Sequence, residues 1–264
     1  MLEFKDKVIM ITGASSGIGR ALAIAFSQEG ARIILASRRP EVLEKVKQEC
    51  ANPTFHQVLT LDLTFPDVLV DNVRLMEEQF GRIDILVNNG GITQRSLIND
   101  TSMAVVRKIM ETNYFAGVAL TKAVLPGMIE RKSGNIIFIS SLTGKFGTAL
   151  RSIYASSKHA VLGFADALRA EVWDDGIKVH AIMPGFVRTN ASLNALTGDG
   201  SKHATMDKTT EKGMSAEECA AGILKAVKAG KEEVIISGKE QIMVYLKRLS
   251  PGLFTKVIRK IKVT

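Results

Sequence analysis

The chain has 264 residues, a size at which one α/β domain is complete. Hydrophobic residues make up 46% of it and charged residues 23%, which is enough apolar material for a sizeable core and excludes a disordered or fibrous protein. The formal net charge is +8, yet Lys247, Arg248, Lys256, Arg259, Lys260 and Lys262 stand in residues 245–264 with no acid among them, so this is a basic tail on a nearly neutral body rather than a nucleic-acid footprint.

In chain order, short β-rich apolar runs alternate with longer helical patterns. KVIMIT precedes a helix over 17–29, RIILAS one over 40–50, HQVLTL one over 66–80, and DILVNN one over 102–131. NIIFIS, a helix over 152–174, KVHAIMP, a helix over 215–229 and EVIIS complete the series. Seven runs apolar on both faces and separated by helices predict a doubly wound parallel α/β sheet covered on both sides, as a single unit over 1–264. Thr64 with Asp67 and Ser215 with Glu218 read as capping boxes, and Pro66 suits a first helical turn. Residues 188–214 lack periodicity and are expected to form a substrate lid, followed at 239–264 by the basic tail. No apolar run approaches the ~18 residues of a membrane span, and the first residues, with Glu3 and Asp6, do not read as a signal peptide. Cys50 and Cys219 are far apart and outside any CxxC, so neither a disulfide nor a metal site is expected, and a reducing, cytoplasmic setting fits.

Directly after the first strand, Thr12-Gly13-Ala14-Ser15-Ser16-Gly17-Ile18-Gly19 opens a helix where a doubly wound sheet holds a pyrophosphate. Its spacing is GxxxGxG, and alone such a turn is weak evidence. At the end of the second strand, where a carboxylate would grip the ribose hydroxyls of NAD, the chain reads Ala36-Ser37-Arg38-Arg39 with no acid. Guanidinium forks suit a phosphate, so the expected cofactor is NADP(H). Tyr154-Ala155-Ser156-Ser157-Lys158 places a phenol and an ammonium one helical turn apart, and the ammonium is expected to draw the phenol below its usual ~10. Ser141, at the end of NIIFIS, is either a second hydroxyl on the same substrate oxygen or a strand-end cap. Asn113 is a poor helix former inside an amphipathic helix, and it either serves the site or closes a backbone bond at a kink.

TGASSGIG, Asn88-Asn89-Gly90-Gly91, Asn113, Ser141, YASSK and Pro184-Gly185, in this order and spacing, resemble the short-chain dehydrogenase/reductase family over residues 5–238. The resemblance implies a Rossmann-type fold in which Tyr154 protonates a carbonyl oxygen that Ser141 polarises. Lys158 would hold the nicotinamide ribose, and Asn113 a water that relays protons to Lys158. The implied cofactor contacts are Gly13, Ser15, Ser16, Gly17, Ile18 and Gly19 in the turn, Ser37, Arg38 and Arg39 after the second strand, and Asp62 with Leu63 at the adenine. Asn89 and Gly90 along the groove, Tyr154 and Lys158, and Pro184, Gly185, Val187 and Thr189 near the nicotinamide complete the implied set. Gly90 stands where the family usually has Ala, which is expected to loosen that turn. METNYFAGVALTKAVLPGMI, SLNALTGDGSKHATMD and VYLKRLSPGLF resemble the family's member 7 and 7B subgroup. That implies membrane-linked reduction of lipid-like carbonyl compounds, including acyl- or alkyl-dihydroxyacetone phosphate; the subgroup's N-terminal membrane segment is missing from this sequence, so the substrate is not carried over.

The expected activity is interconversion of a ketone or aldehyde with its alcohol using NADP(H). Two alternatives stay open: a 3-oxoacyl-carrier-protein reductase, whose acidic partner would suit basic charge beside the site rather than in a tail, and an NADP(H)-binding sensor without turnover, against which Tyr154 and Lys158 count. The resemblance implies a homodimer or homotetramer paired through 102–131 and 152–174. In the tail, Leu253, Phe254, Val257, Ile258 and Ile261 form a helical stripe flanked by bases. It can lie on an anionic membrane as a peripheral contact or pack on protein, and its short length after Pro251-Gly252 favours packing. Among the residues around the tail's basic side chains only Phe254 is read as able to stack on a nucleobase, so no nucleic-acid partner is expected.

Overall fold

The computed structural model describes residues 2–261. The apolar runs form seven strands: β1 (Val8–Thr12), β2 (Arg32–Ser37), β3 (Gln57–Thr60), β4 (Ile85–Asn88), β5 (Gly134–Ile139), β6 (Ile177–Pro184) and β7 (Glu233–Ile236). They pair in the order β3-β2-β1-β4-β5-β6-β7, with every neighbour parallel. Parallel pairing requires crossovers, and these are supplied by α1 (Gly17–Gln28), α2 (Pro40–Glu49), α3 (Leu69–Phe80), α4 (Met103–Met110) with α5 (Ala116–Glu130), α6 (Ser152–Glu171), and the short α7 (Lys208–Glu211) before α8 (Ala216–Lys228). This is the Rossmann-type doubly wound sheet that the alternating pattern predicts.

All five residues of β1 are buried, and their alternation sends Ile9 and Ile11 to one face and Val8 and Met10 to the other. The first face meets Leu22 and Phe26 of α1, Leu43 of α2 and Ile223 of α8. The second meets Val73 of α3, Val124 of α5 and Leu162 of α6. Two such cores explain why the strands are apolar throughout. Cys50 and Cys219 are buried free thiols, and Cys219 is pushed up to about 12 by burial.

The expected capping box at Ser215 is present: Ser215 N donates to Glu218 Oε2 at 2.7 Å and Glu218 N to Ser215 Oγ at 3.0 Å. The one at Thr64 is not. Thr64 N and Oγ1 both donate to Asp62 Oδ1 instead, and the helix expected from 66 starts as a 3₁₀ turn, Pro66–Val68, before α3. The pattern over 102–131 is interrupted by a π-helical turn at Glu111–Phe115, which joins α4 to α5.

After β7 the chain turns back as α9 (Ile242–Leu249) and α10 (Pro251–Ile258). Phe254 is buried against Leu142 and Phe146, its ring edge-on to Phe146 at 5.8 Å. Part of the expected stripe therefore packs on the protein, Phe254 and Ile258, while Leu253 and Ile261 stay exposed. Lys262, counted in the tail, lies outside the described residues. No helix among the described residues is long and apolar enough to cross a membrane.

Candidate active site

The strand order reverses between β1 and β4, and the crevice at their carboxyl ends is where a doubly wound sheet receives a ligand. Thr12 closes its floor. Its hydroxyl donates to Val87 O at 3.2 Å and accepts from Asn89 N at 3.0 Å and Gly90 N at 2.9 Å, while Asn89 Nδ2 donates to Thr12 O at 2.8 Å. Beside this floor the glycine turn packs too closely on its neighbours to admit side chains. Gly13 has φ +67°, and a Cβ there would stand 2.9 Å from Asn89 Nδ2; one on Gly19 would stand 2.4 Å from Gly13 O. Gly17 has φ +55°, and a Cβ on it would meet the Thr189 methyl at 3.0 Å. The helix that starts there has Ser16 at its N-cap with no side-chain bond to its first N–H groups, and these donors carry the positive end of the helix dipole.

Arg39 Nη2 donates to Ser15 Oγ at 3.1 Å, so one of the two arginines after β2 reaches the turn, while Arg38 is exposed. Ser37 Oγ accepts from Arg39 N at 3.3 Å. Asp62, after β3, spends Oδ1 on Thr64. Leu63 explains Gly90: a Cβ on Gly90 would lie 2.4 Å from Leu63 Cδ1. The space of the missing methyl is thus taken by a leucine side chain. Pro184 ends β6, Gly185 N donates to Ile236 O at 2.9 Å, and Val187 is bridged to Met214, closing the root of the 188–214 loop.

Ser141 follows β5 and caps a 3₁₀ turn, its Oγ accepting from Thr143 N at 3.2 Å. Tyr154 and Lys158 lie on α6, with Lys158 Nζ 5.8 Å from the Tyr154 ring centre. Lys158 Nζ donates to Ile139 O at 2.8 Å, and burial pushes the ammonium down to about 8. Tyr154 departs from expectation: its pKa is raised rather than lowered. Burial of the phenol is the largest cause, and the groups that oppose it are the Ser141 hydroxyl and then the Arg151 and Arg95 guanidiniums, not Lys158. Asn113 sits in the π turn. Its Nδ2 donates to Ile92 O and Ser157 Oγ, both at 2.9 Å, and its Oδ1 accepts from Ile92 N at 2.8 Å. The side chain thus closes backbone bonds at a kink, and the residue still borders the site. A Cβ on Gly91 would stand 3.1 Å from Asn113 Oδ1 and 3.6 Å from Lys158 Nζ. Thr12, Leu63, Gly90, Asn113 and Lys158 line one narrow cleft.

Three charged residues that the sequence analysis did not single out are buried together, the two arginines close enough to Tyr154 to act on its phenol. Arg95 Nε donates to Asp207 Oδ2 at 3.0 Å, its Nη2 pairs with the same oxygen, and Arg151 Nη2 donates to it at 2.9 Å. The Asp207 side chain is 1% exposed and those of the arginines 5% and 6%, so the cluster is effectively out of water. Burial works to raise the Asp207 carboxyl, but the two guanidiniums overcome it and hold the group below its usual range. The cluster pins the 188–214 loop to the turn that begins α6. Leu196 adds a second anchor, its N–H donating to Thr93 O and its carbonyl accepting from Arg95 N. A separate groove of about 630 Å³, lined by Lys5, Arg32 and His56, lies at the opposite ends of the strands, away from all of these residues.

A sheet of this topology with a glycine-lined crevice at its switch point defines a dinucleotide-binding α/β protein. Residues 7–199 match the short chain dehydrogenase family, and the chain belongs to that oxidoreductase family. It is 44% identical over 262 residues to dehydrogenase/reductase SDR family member 7B of Bos taurus, covering 96% of this chain and 81% of that one. It is also 44% identical over 264 residues to the SDR family protein 7-like of Drosophila melanogaster, covering 98% and 81%. Among solved structures, a short-chain dehydrogenase from Streptomyces avermitilis superposes with TM-score 0.80 at 29% identity, covering 97% and 98% of the two chains. A metagenomic short-chain oxidoreductase in complex with NADP gives 0.73 at 27%, covering 89% and 98%. A family member from Burkholderia phymatum in complex with NAD gives 0.82 over 100% and 98% at 19% identity, a likeness of fold alone.

Two predictions follow from the buried charges. Asp207→Asn leaves two buried guanidiniums without a counter-ion and is expected to cost about 3–5 kcal/mol of stability in urea unfolding; a loss below ~1 kcal/mol would show that the cluster does not hold the loop. Lys158 is held down to about 8 in the folded chain against 10.5 when free, so the unfolded state binds the extra proton between those values. Its contribution to stability therefore rises from about pH 8 to 10.5, and the unfolding free energy of the native protein should gain on that of Lys158→Met across that window and run parallel to it below. A constant difference through the whole range would place the lysine in water.

Proposed function

We propose that the protein is an NADP(H)-dependent oxidoreductase that interconverts a ketone or aldehyde with its alcohol. The observation that carries this reading is the meeting of Ser141, Tyr154 and Lys158, from the end of β5 and from α6, beside the cleft that leads to the glycine turn. The turn suits a dinucleotide: the positive-φ turn at Gly13 and Gly17 and the uncapped start of α1 would hold a pyrophosphate on free backbone N–H groups, and Lys158 would hold the nicotinamide ribose. When bound, the cofactor supplies or accepts a hydride at the carbonyl carbon.

The chain's own residues do the rest. Ser141 Oγ donates to the substrate oxygen and orients it, and Tyr154 gives that oxygen its proton in reduction and takes it back in oxidation. Burial that raises the phenol opposes proton release, so the groups that lower it matter to the acid role. The positive charge of Arg151 and Arg95 lowers the cost of the phenolate left behind. Lys158, whose ammonium burial pushes down to about 8, returns a proton toward Tyr154. Asn113 holds the π turn against Ile92 and so keeps the wall of the cleft in place. The 188–214 loop, latched at Asp207 and Leu196, covers the substrate. The preference for NADP(H) is supported by Arg39 at Ser15 and by the absence of a carboxylate in residues 36–39. The NADP-bound metagenomic relative is consistent with it. Association into a homodimer or homotetramer through α4, α5 and α6, and a cytoplasmic setting, belong to the same proposal, and lipid-like carbonyls are the first substrates to screen.

Tyr154→Phe keeps the ring and removes the proton. Turnover of NADPH with an active carbonyl should fall by about 10²–10⁴-fold, with the NADPH dissociation constant within about twofold of the native value. Turnover retained in this variant would remove Tyr154 from the chemistry, and NADPH binding with no turnover by the native protein on any carbonyl would favour a sensor. Arg39→Asp sets a carboxylate against the extra phosphate, so NADPH should bind at least about tenfold more weakly while NADH binding holds or improves, as read by nicotinamide fluorescence. An unchanged ratio would place the phosphate elsewhere.

A further inference from the structure

The helices α9 and α10 have two faces of opposite character. Inward, Met243, Val244, Leu246, Phe254 and Ile258 pack on Leu142 and Phe146, and Lys247 Nζ donates to Lys145 O at 2.8 Å. Outward, Ile242 is 65% exposed, Tyr245 53%, Leu249 82% and Leu253 51%. The first three stand at i, i+3 and i+7, one stripe along α9, and Leu253 continues it into the first turn of α10. The stripe differs from the one that the sequence pattern suggests, because Phe254 has turned inward. Around it Arg248, Lys256, Arg259 and Lys260 are exposed, and residues 241–261 contain no acid. Among the described residues none of these four cations makes an ion pair.

We propose that this outer face of α9 and α10 docks on an anionic lipid bilayer, with Ile242, Tyr245, Leu249 and Leu253 in the acyl–headgroup boundary and Arg248, Lys256, Arg259 and Lys260 on lipid phosphates. Exposed aliphatic side chains gain by leaving water, and unpaired bases beside them gain from the negative surface of such a bilayer, each effect acting over the same short stretch of chain. A second copy of the chain is the weaker occupant, because joining this face to its own image sets four cations against four with no carboxylate between them. The docking face also has a place in the fold. Its inner side rests on Leu142 and Phe146, which follow Ser141, and Glu240 Oε1, just before α9, accepts from Phe186 N at 3.2 Å at the root of the 188–214 loop. Docking on lipid therefore presents the candidate cleft close to the membrane surface.

The test uses the full chain in co-sedimentation with vesicles of pure phosphatidylcholine and of phosphatidylcholine with about one-third phosphatidylserine, at low and high salt. The expected result is binding to the phosphatidylserine vesicles that is at least about tenfold stronger than to phosphatidylcholine and weakens as salt rises. Leu249→Ser with Leu253→Ser, and separately Arg248→Ser with Lys256→Ser, should each reduce the bound fraction by about tenfold, while circular dichroism and NADPH binding stay native. These positions are exposed and outside the cleft, so the variants report on the surface and not on the fold. No binding to either vesicle, equal binding to both, or binding that survives both pairs of substitutions would overturn the proposal. So would a dimer in sedimentation velocity that Leu249→Ser with Leu253→Ser converts to monomer without altering vesicle binding, since the face would then belong to a second copy.

Discussion

One hydroxyl group ties the two halves of this sheet together at the point where its strand order reverses. Thr12 Oγ1 donates to Val87 O and accepts from the N–H groups of Asn89 and Gly90, and Asn89 returns a bond to Thr12 O. Without these bonds the ends of β1 and β4 would have buried, unpaired polar groups, each costing about 1–3 kcal/mol. With them the crevice floor is rigid, and what surrounds it inherits its position: the glycine turn on one side, Leu63 and Gly90 on the other, and Gly91 facing Asn113 and Lys158. The glycines follow from this geometry. Gly19 is small because Gly13 O and Asn89 Nδ2 occupy the place of its side chain, so it is a packing requirement before it is a phosphate contact.

Around that floor the protein buries charge in two ways. Lys158 is taken out of water with the Ile139 carbonyl as partner, and burial pushes its ammonium down to about 8. Arg95, Asp207 and Arg151 are buried together, where the carboxylate offsets much of the cost of the guanidiniums and two of the three connect distant loops to α6. The arrangement ties the electrostatics of Tyr154 to the placement of the 188–214 loop: the cations that oppose the rise of the phenol are the same ones that Asp207 holds. A loop that shifts must move a counter-ion away from the residues nearest the phenol.

The fold was legible because it rests on local patterns: strands apolar on both faces, a glycine turn before a helix, and a capping box at Ser215. The candidate site was legible where its residues lie close in sequence, as Tyr154 and Lys158 do on one helix. What escaped depends on contacts across the chain. Asp207 is 112 residues from Arg95 and 56 from Arg151, and nothing in the spacing of single charges announces such a cluster. The sign of the Tyr154 shift escaped for a related reason, since sequence spacing shows the neighbouring lysine but not the burial that sets the shift. Leu63 filling the space of a Gly90 side chain, and Thr64 bonding Asp62 rather than capping a helix, are likewise choices between local partners that only packing decides.

Asn113 shows how a single residue can satisfy both of the readings that the sequence left open. An α-helix gives an internal Asn no backbone partner outside its own turn, but the π turn at Glu111–Phe115 displaces it by widening the helix, and its amide then reaches Ile92 and Ser157. Closing those bonds is a structural role. Its consequence is chemical, because Ile92 follows Gly91, which borders Lys158, and Ser157 immediately precedes Lys158 on α6. The kink thus sets the distance between the segment after β4 and the helix that carries Tyr154, and the cleft between them is as wide as that one amide allows.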